Sequence, residues 1–306
     1  MSPRTGPVLI TGCSSGIGRI TAEHLLARGH VVCATARDPR SLTALARAGA
    51  ETARLDVTDA DMARDVVADL ERRHGRIGAL VNNAGYGEYG PVETVSLDRA
   101  RQQFETNVLG LARMCQLVLP GMRRAGGGRI VNMSSIGGRM TFPGGGFYNA
   151  SKYAVEAVSD ALRFETAPFG VSVSVVEPNL IRNTRFEDHV SESLTSNTAV
   201  DGPYAGLLAA IRDQMHRCFD NDRMSTPPQA VARTVERALT DRSPRARYVV
   251  SIGGKLILAS GRIFPSKSMD NILRRQFGLA TDGSYTGKHA ARRPDDKGDS
   301  IEVINQ

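Results

Sequence analysis

The chain has 306 residues, of which 41% are hydrophobic and 23% charged, a composition that supports a large buried core and excludes a disordered, collagen-like or disulfide-scaffold protein. The net charge of +7 suits a nucleic-acid partner or a small anionic ligand, but the arginines are scattered, so nucleic acid is not expected. No run approaches the roughly 18 apolar residues of a membrane span and the N-terminus enters a strand almost at once, so a cytoplasmic protein without a transmembrane segment is expected.

Short β-branched runs alternate with helix-period segments, the pattern of an α/β, Rossmann-type doubly wound parallel sheet of about seven strands with helices on both faces. Strands are predicted at Val8 to Thr11, Val31 to Ala36, Thr52 to Val57, Ala79 to Asn82, Arg129 to Met133, Val171 to Val176 and Tyr248 to Ile252. Helices are predicted at Ile17 to Arg28, Asp59 to His74, Ser96 to Ala125, Ala150 to Phe169 and Pro228 to Thr240. Residues 1–282 read as one catalytic domain. The segment 179–227 is too long for a simple connection; Leu207, Leu208, Ile211, Met215 and Cys218 or Phe219 share one helical face there, which fits either a core-facing helix or a lid over an apolar substrate. Leu256 to Phe277 is basic and amphipathic, and packing on the body or on a second subunit is expected ahead of peripheral membrane contact. The polar stretch 283–306 is expected to be disordered.

Cys13, Cys33, Cys115 and Cys218 form no CxxC pair, so neither a metal cluster nor a redox dithiol is expected; small buried residues are. Only five lysines occur, and Lys152 is the sole one before residue 255. A compact ammonium retained where arginine is otherwise used marks Lys152 as a chemical candidate.

The first strand empties into Thr11-Gly12-Cys13-Ser14-Ser15-Gly16-Ile17-Gly18 and then helix. Glycines there permit a tight turn and close backbone approach to a pyrophosphate, whose charge meets the helix N-terminus. The TGxxxGxG spacing differs from the general dinucleotide fingerprint, and with it the sequence resembles the short-chain dehydrogenase/reductase family to about residue 280. In that family the end of the second strand selects the cofactor, and here it reads Ala34-Thr35-Ala36-Arg37. Arg37 offers a planar fork to a 2′-phosphate, which implies NADP(H); Asp38 as a ribose acid is the NAD alternative. The resemblance further implies adenine contacts at Asp56 and Val57 and backbone contacts at Asn83, Ala84 and Gly85. Near the nicotinamide it implies Pro178 and Thr184, although Asn179 replaces the family's glycine and Thr184 is displaced by one residue. Asn179 could adopt the left-handed conformation in its place.

Tyr148 and Lys152 stand four residues apart, on one helical face. A phenol is a poor acid or base at neutral pH, and a neighbouring ammonium with an oxidised nicotinamide would lower its pKa. Ser135 ends the fifth strand at the ligand edge of the sheet, where its hydroxyl can hold a substrate oxygen; Ser134 competes for that role. Asn107 matches the family's remaining catalytic position, which implies a water linking Lys152 to solvent, whereas a satisfied helix kink is the plain reading. Asn107, Ser135, Tyr148 and Lys152 together imply reversible ketone–alcohol chemistry on a small molecule. Met140, Phe142, Phe147, Tyr86 and Tyr89 suggest a bulky apolar ketone. The Arg37-Asp38-Pro39 turn and the region near Pro265 resemble the 17β-hydroxysteroid and retinol dehydrogenase branch. That family implies a homodimer or homotetramer through the helices that hold Asn107 and Lys152. A non-catalytic NADP sensor and a sugar-nucleotide epimerase are the rival functions.

Overall fold

The computed structural model describes residues 6–197, 202–219, 225–263 and 266–279. The segment 283–306 and Pro265 lie outside them. In chain order the elements are β1 (Val8–Ile10), α1 (Gly16–Ala27), β2 (Val32–Ala36), α2 (Thr43–Arg47), β3 (Glu51–Arg54), α3 (Ala60–His74), β4 (Ala79–Asn82), α4 (Leu97–Phe104) and α5 (Leu111–Arg124). They continue with β5 (Gly128–Met133), α6 (Gly146–Thr166), β6 (Val171–Glu177), β7 (Leu180–Ile181), α7 (Phe186–Ser196) and α8 (Ala205–Phe219). Last come β8 (Ser225–Thr226), α9 (Pro228–Thr240), β9 (Arg247–Val249), α10 (Ile252–Ile263) and α11 (Ser266–Gln276).

Seven strands pair in parallel in the order β3-β2-β1-β4-β5-β6-β9, and β7 pairs with β8 apart from them. Alternate side chains of each strand feed opposite layers, because successive Cβ atoms point to opposite faces. Val8 and Ile10 join Ala22, Leu25, Val231 and Val235 under α1 and α9. Leu9 and Leu80 join Val67, Leu70, Met114 and Val118 under α3 and α5. With both faces covered, the strands read as apolar runs, which is why they were legible. The strand order reverses between β1 and β4, so their carboxyl ends open a crevice.

Boundaries differ in informative places. The third strand stops at Arg54 and the last at Val249, because Ile252 starts α10. The expected helix from Ser96 to Ala125 is interrupted: Glu105–Gly110 winds as a π-helix between α4 and α5, a local widening that recurs at functional sites. Helix α6 begins at Gly146, so Tyr148 as well as Lys152 lies inside it. In 179–227, Leu208 and Ile211 pack with Val190, Leu194 and Phe277, and Leu207 and Met215 lean on the same cluster. Helix α10 buries Leu258 against Ile136 and Met140 and exposes Ile252, Leu256 and Ile263. Among the described residues no helix is long and apolar enough to cross a membrane, and no group of His, Cys, Asp and Glu is placed to hold a metal.

Candidate active site

A cleft of ≈ 1140 Å³ runs along the carboxyl edge of the sheet, from the glycine turn past β4 and β5 to α7 and α8. Its glycine wall is built by steric necessity. Gly12 and Gly16 have φ of 73° and 55°, in the left-handed region that side chains resist. A Cβ on Gly18 would stand 2.3 Å from the Gly12 carbonyl oxygen and 2.4 Å from Asn83 Nδ2. Asn83 Nδ2 donates to the Thr11 and Gly12 carbonyls at 3.0 Å each. Thr11 Oγ1 accepts from the Asn83 and Ala84 backbone N–H groups, also at 3.0 Å. Ser15 precedes α1 without giving it a side-chain cap, and no acid occupies its first turn. An uncapped N-terminus beside such a turn fits a pyrophosphate. Ser14, Ile17, Pro178 and Thr184 also line the cleft.

At the far end of β2, Arg37 is exposed, lines the cleft and makes no ion pair among the described residues. Asp38 does not reach the cleft: its carboxylate caps the following turn through Arg40 N–H at 3.0 Å and pairs with the Arg40 guanidinium at 2.9 Å. Asp56 lines the cleft and accepts from Thr58 N–H and Oγ1 at 3.0 and 2.7 Å. Val57 lines it beside Asp56 and packs where Gly110 leaves room.

Ser135, Tyr148 and Lys152 line the cleft together, and Asn107 and Lys152 meet at Gly85. Asn107 sits in the π segment, with Oδ1 accepting from Tyr86 N–H at 3.0 Å and Nδ2 donating to the Tyr86 carbonyl at 2.9 Å and to Ser151 Oγ at 3.1 Å. Both ends of the amide are satisfied, so its place inside a helix costs nothing in lost hydrogen bonds. A Cβ on Gly85 would lie 2.9 Å from Asn107 Oδ1 and 3.7 Å from Lys152 Nζ. Lys152 Nζ donates to the Met133 carbonyl at 2.9 Å and lies 5.8 Å from the Tyr148 ring centroid. Ser135 lines the cleft with Tyr148, its hydroxyl accepting from Gly137 N–H at 3.0 Å and donating to the Pro178 carbonyl at 3.4 Å, while Ser134 Oγ lies beneath, beside Gly138 and Glu156, which separates the two serines.

Within the chain itself, burial dominates the electrostatics of both groups. Burial pushes the Tyr148 hydroxyl up to about 12, with the Ser135 hydrogen bond opposing, and pushes Lys152 down to about 8, with Glu156 opposing. Burial disfavours the charged form of each, which raises a phenol and lowers an amine. The buried thiols are inert for the same reason: Cys13, Cys33 and Cys115 rise to about 12 and Cys218 is raised.

Tyr86, Tyr89 and Phe142 line the cleft as expected, with Ile211 and Met215. Met140 and Phe147 do not: Met140 is buried against Leu258, and Phe147 lies one position from Tyr148 on α6 and leaves the cleft wall to it. The left-handed residue after β6 is Asn183, with φ of 58°, rather than Asn179. Thr184 packs beside Gly16, its Cβ 3.5 Å from where a Gly16 Cβ would be, and its hydroxyl donates to the Ile181 carbonyl at 2.9 Å. Sequence reasoning missed Phe186, whose ring stands 5.7 Å from Tyr148 and 6.1 Å from Tyr89, and Phe277. The four-residue spacing of Phe186, Val190 and Leu194 was the signal that α7 presents an apolar face.

The family described as short chain dehydrogenase matches residues 7–195. The uncharacterized oxidoreductase YbbO of Escherichia coli K12 is 37% identical over 87% of this chain and 93% of its own length. The 3-ketodihydrosphingosine reductase of Bacteroides thetaiotaomicron is 34% identical over 87% and 96%. A crystal structure of a short-chain dehydrogenase from Streptomyces avermitilis has a TM-score of 0.74 at 32% identity, covering 90% of this chain and 96% of that one.

Proposed function

This chain belongs to the short-chain dehydrogenase family, and from that premise we propose that it is an NADP(H)-dependent carbonyl reductase acting on a bulky apolar ketone. The observation that carries the reading is that Ser135, Tyr148 and Lys152 line the same cleft as the glycine turn. When bound, the nicotinamide supplies the hydride to the carbonyl carbon. Ser135 orients the carbonyl oxygen, and Tyr148 gives that oxygen its proton as negative charge develops. A phenol held near 12 is fully protonated at neutral pH, the state reduction requires. Lys152, placed between Tyr148 and Gly85, holds the ribose and, as an ammonium, favours the phenolate left behind. Arg37, exposed at the cleft rim and without an ion pair among the described residues, supports NADP(H) over NAD(H), as does the engagement of Asp38 by Arg40 away from the cleft.

Residues 1–282 act in this reading as one catalytic unit in the cytoplasm, with 179–227 as its lid. The apolar end of the cleft, formed by Tyr89, Phe186, Ile211, Met215 and Phe277, supports a large hydrocarbon substituent on the ketone, and the Bacteroides relative bears the name 3-ketodihydrosphingosine reductase. NADPH oxidation is expected with polycyclic or long-chain ketones, with kcat/KM at least about tenfold above that for a four-carbon ketone, since each buried methylene contributes about 0.8 kcal/mol. A preference for the small ketone removes the substrate class. NADPH binding without oxidation of any ketone panel member would instead favour a cofactor sensor, and turnover of a nucleotide sugar an epimerase.

The subunit contact of this reading uses the exposed faces of the π segment and α6. Leu109, Tyr153 and Phe164 are 52%, 44% and 71% exposed, and Tyr153 and Phe164 lie three turns apart on one side of α6. The wild-type protein is expected to sediment as a dimer or tetramer and Phe164→Glu as a smaller species, because a charge placed in an apolar contact is strongly disfavoured. A monomeric wild type overturns the contact.

A further inference from the structure

Beneath the proton-transfer groups lies a buried cluster of charges that the reaction above leaves unused. Glu156 on α6 is 6% exposed and Glu177 at the end of β6 is 0% exposed. Arg247 on β9 reaches Glu156 Oε2 at 2.9 Å, Glu177 Oε1 at 3.5 Å and Asp160 Oδ2 at 2.5 Å. Arg139, just beyond the turn that starts at Ser135, donates to the two Glu177 oxygens at 3.3 and 3.2 Å. The cluster therefore ties together the turn bearing Ser135, the helix bearing Tyr148 and Lys152, the strand leading to Pro178, and β9.

Glu156 follows Lys152 by one helical turn, so the two side chains share a face. Its Oε1 is buried and has no hydrogen-bond partner, an arrangement that costs free energy unless the atom serves another group. Close packing at this point is enforced by Gly138, where a Cβ would lie 2.6 Å from Ser134 Oγ, 2.9 Å from the Lys152 carbonyl oxygen and 3.1 Å from Glu156 Cγ.

Resting on the carbonyl-reductase reading for its chemistry, we propose that Glu156 is a positioning residue whose buried carboxylate, anchored by Arg247, keeps Lys152 an ammonium beneath the dinucleotide ribose. Among the described residues Lys152 meets no other acid: its own helix offers the Tyr148 ring, the π segment the Asn107 amide, and the end of β5 the Met133 carbonyl and Ser134. Burial drives its proton off, and Glu156 is the charge that opposes this. Glu156 is itself raised by burial, and Ser134, Arg247 and Arg139 act to keep it ionised; Glu177, raised too, adds a repulsion that the same arginines offset. Removing the Glu156 charge takes away the acid that opposes the loss of the Lys152 proton, while Arg139 and Arg247 keep Glu177 and Asp160, so the Lys152 titration moves to lower pH.

The test is a titration of lysine 15Nζ shifts in the cofactor-free, full-length protein. With five lysines in the chain, the Lys152 signal is assigned by its loss in Lys152→Arg. The wild-type midpoint is expected near 8, that of Glu156→Gln lower by about one pH unit, and that of Glu156→Asp close to wild type. Ketone reduction by Glu156→Gln should fall about tenfold more at pH 8 than at pH 6.5. An unshifted Lys152 midpoint in Glu156→Gln overturns the proposal, as does a loss of rate that is uniform in pH. Should Glu156→Gln not fold, Glu156→Gln combined with Arg247→Met removes the carboxylate with its counter-ion, and the downward shift must persist there. Because the titration contains no nucleotide and no ketone, its outcome stands apart from whether the wild type oxidises NADPH.

Discussion

Tyr148→Phe is expected to lower turnover of an apolar ketone about a thousandfold, within the range that general acid catalysis supplies, while NADPH still binds. The substitution removes the hydroxyl that Ser135 contacts and keeps the ring, with its neighbours Tyr89 at 5.4 Å and Phe186 at 5.7 Å. The cleft should therefore stay shaped while the proton donor is lost. Single-turnover NADPH oxidation beside a fluorescence titration of NADPH separates the two, since a transition-state interaction lowers kcat and kcat/KM together. A near-normal rate would strip Tyr148 of its role. The pH dependence has a determined sign as well. Tyr148 stays protonated through the neutral range, so activity lost between pH 7 and 9 should follow Lys152, which sheds its proton around 8; the rate falls as pH rises through that value.

Arg37→Ala is expected to weaken NADPH binding by about 10- to 100-fold and to leave NADH binding unchanged. A hydrogen bond to a charged group contributes about 1.5–3 kcal/mol, and each 1.4 kcal/mol is about tenfold in affinity. Arg37 is exposed and unpaired among the described residues, so its removal disturbs no internal contact, and the loss reads the 2′-phosphate alone. Equal weakening of both nucleotides, or of neither, would break the assignment and return NAD(H) as the cofactor.

Sequence legibility followed the physics of each element. Strands buried on both faces leave apolar runs, and Leu9, Leu80 and Ile130 marked theirs. The glycine turn was legible because backbone crowding at Gly12 and Gly18 excludes any side chain. Glu105–Gly110 was not, since a π-helix differs from an α-helix by one backbone hydrogen-bond step and carries no residue signature. Nor could local pattern say that Met140 packs inward on Leu258 while Phe186 reaches Tyr148, because those contacts depend on how α7 and α10 dock. The burial of Tyr148 and Lys152 was illegible for a related reason. Spacing places the ammonium near the phenol, but only the fold determines how much water both have lost.

The anchoring of the glycine turn by Asn83 and Thr11 has a kinetic corollary. Four hydrogen bonds within the chain tie the loop to the segment after β4, so the entropy of ordering it is met during folding and not at the encounter. The dinucleotide thus meets a preformed socket and should associate in one fast phase, whereas any slow, saturable step in the cycle belongs to rearrangement of α7 and α8 around the ketone.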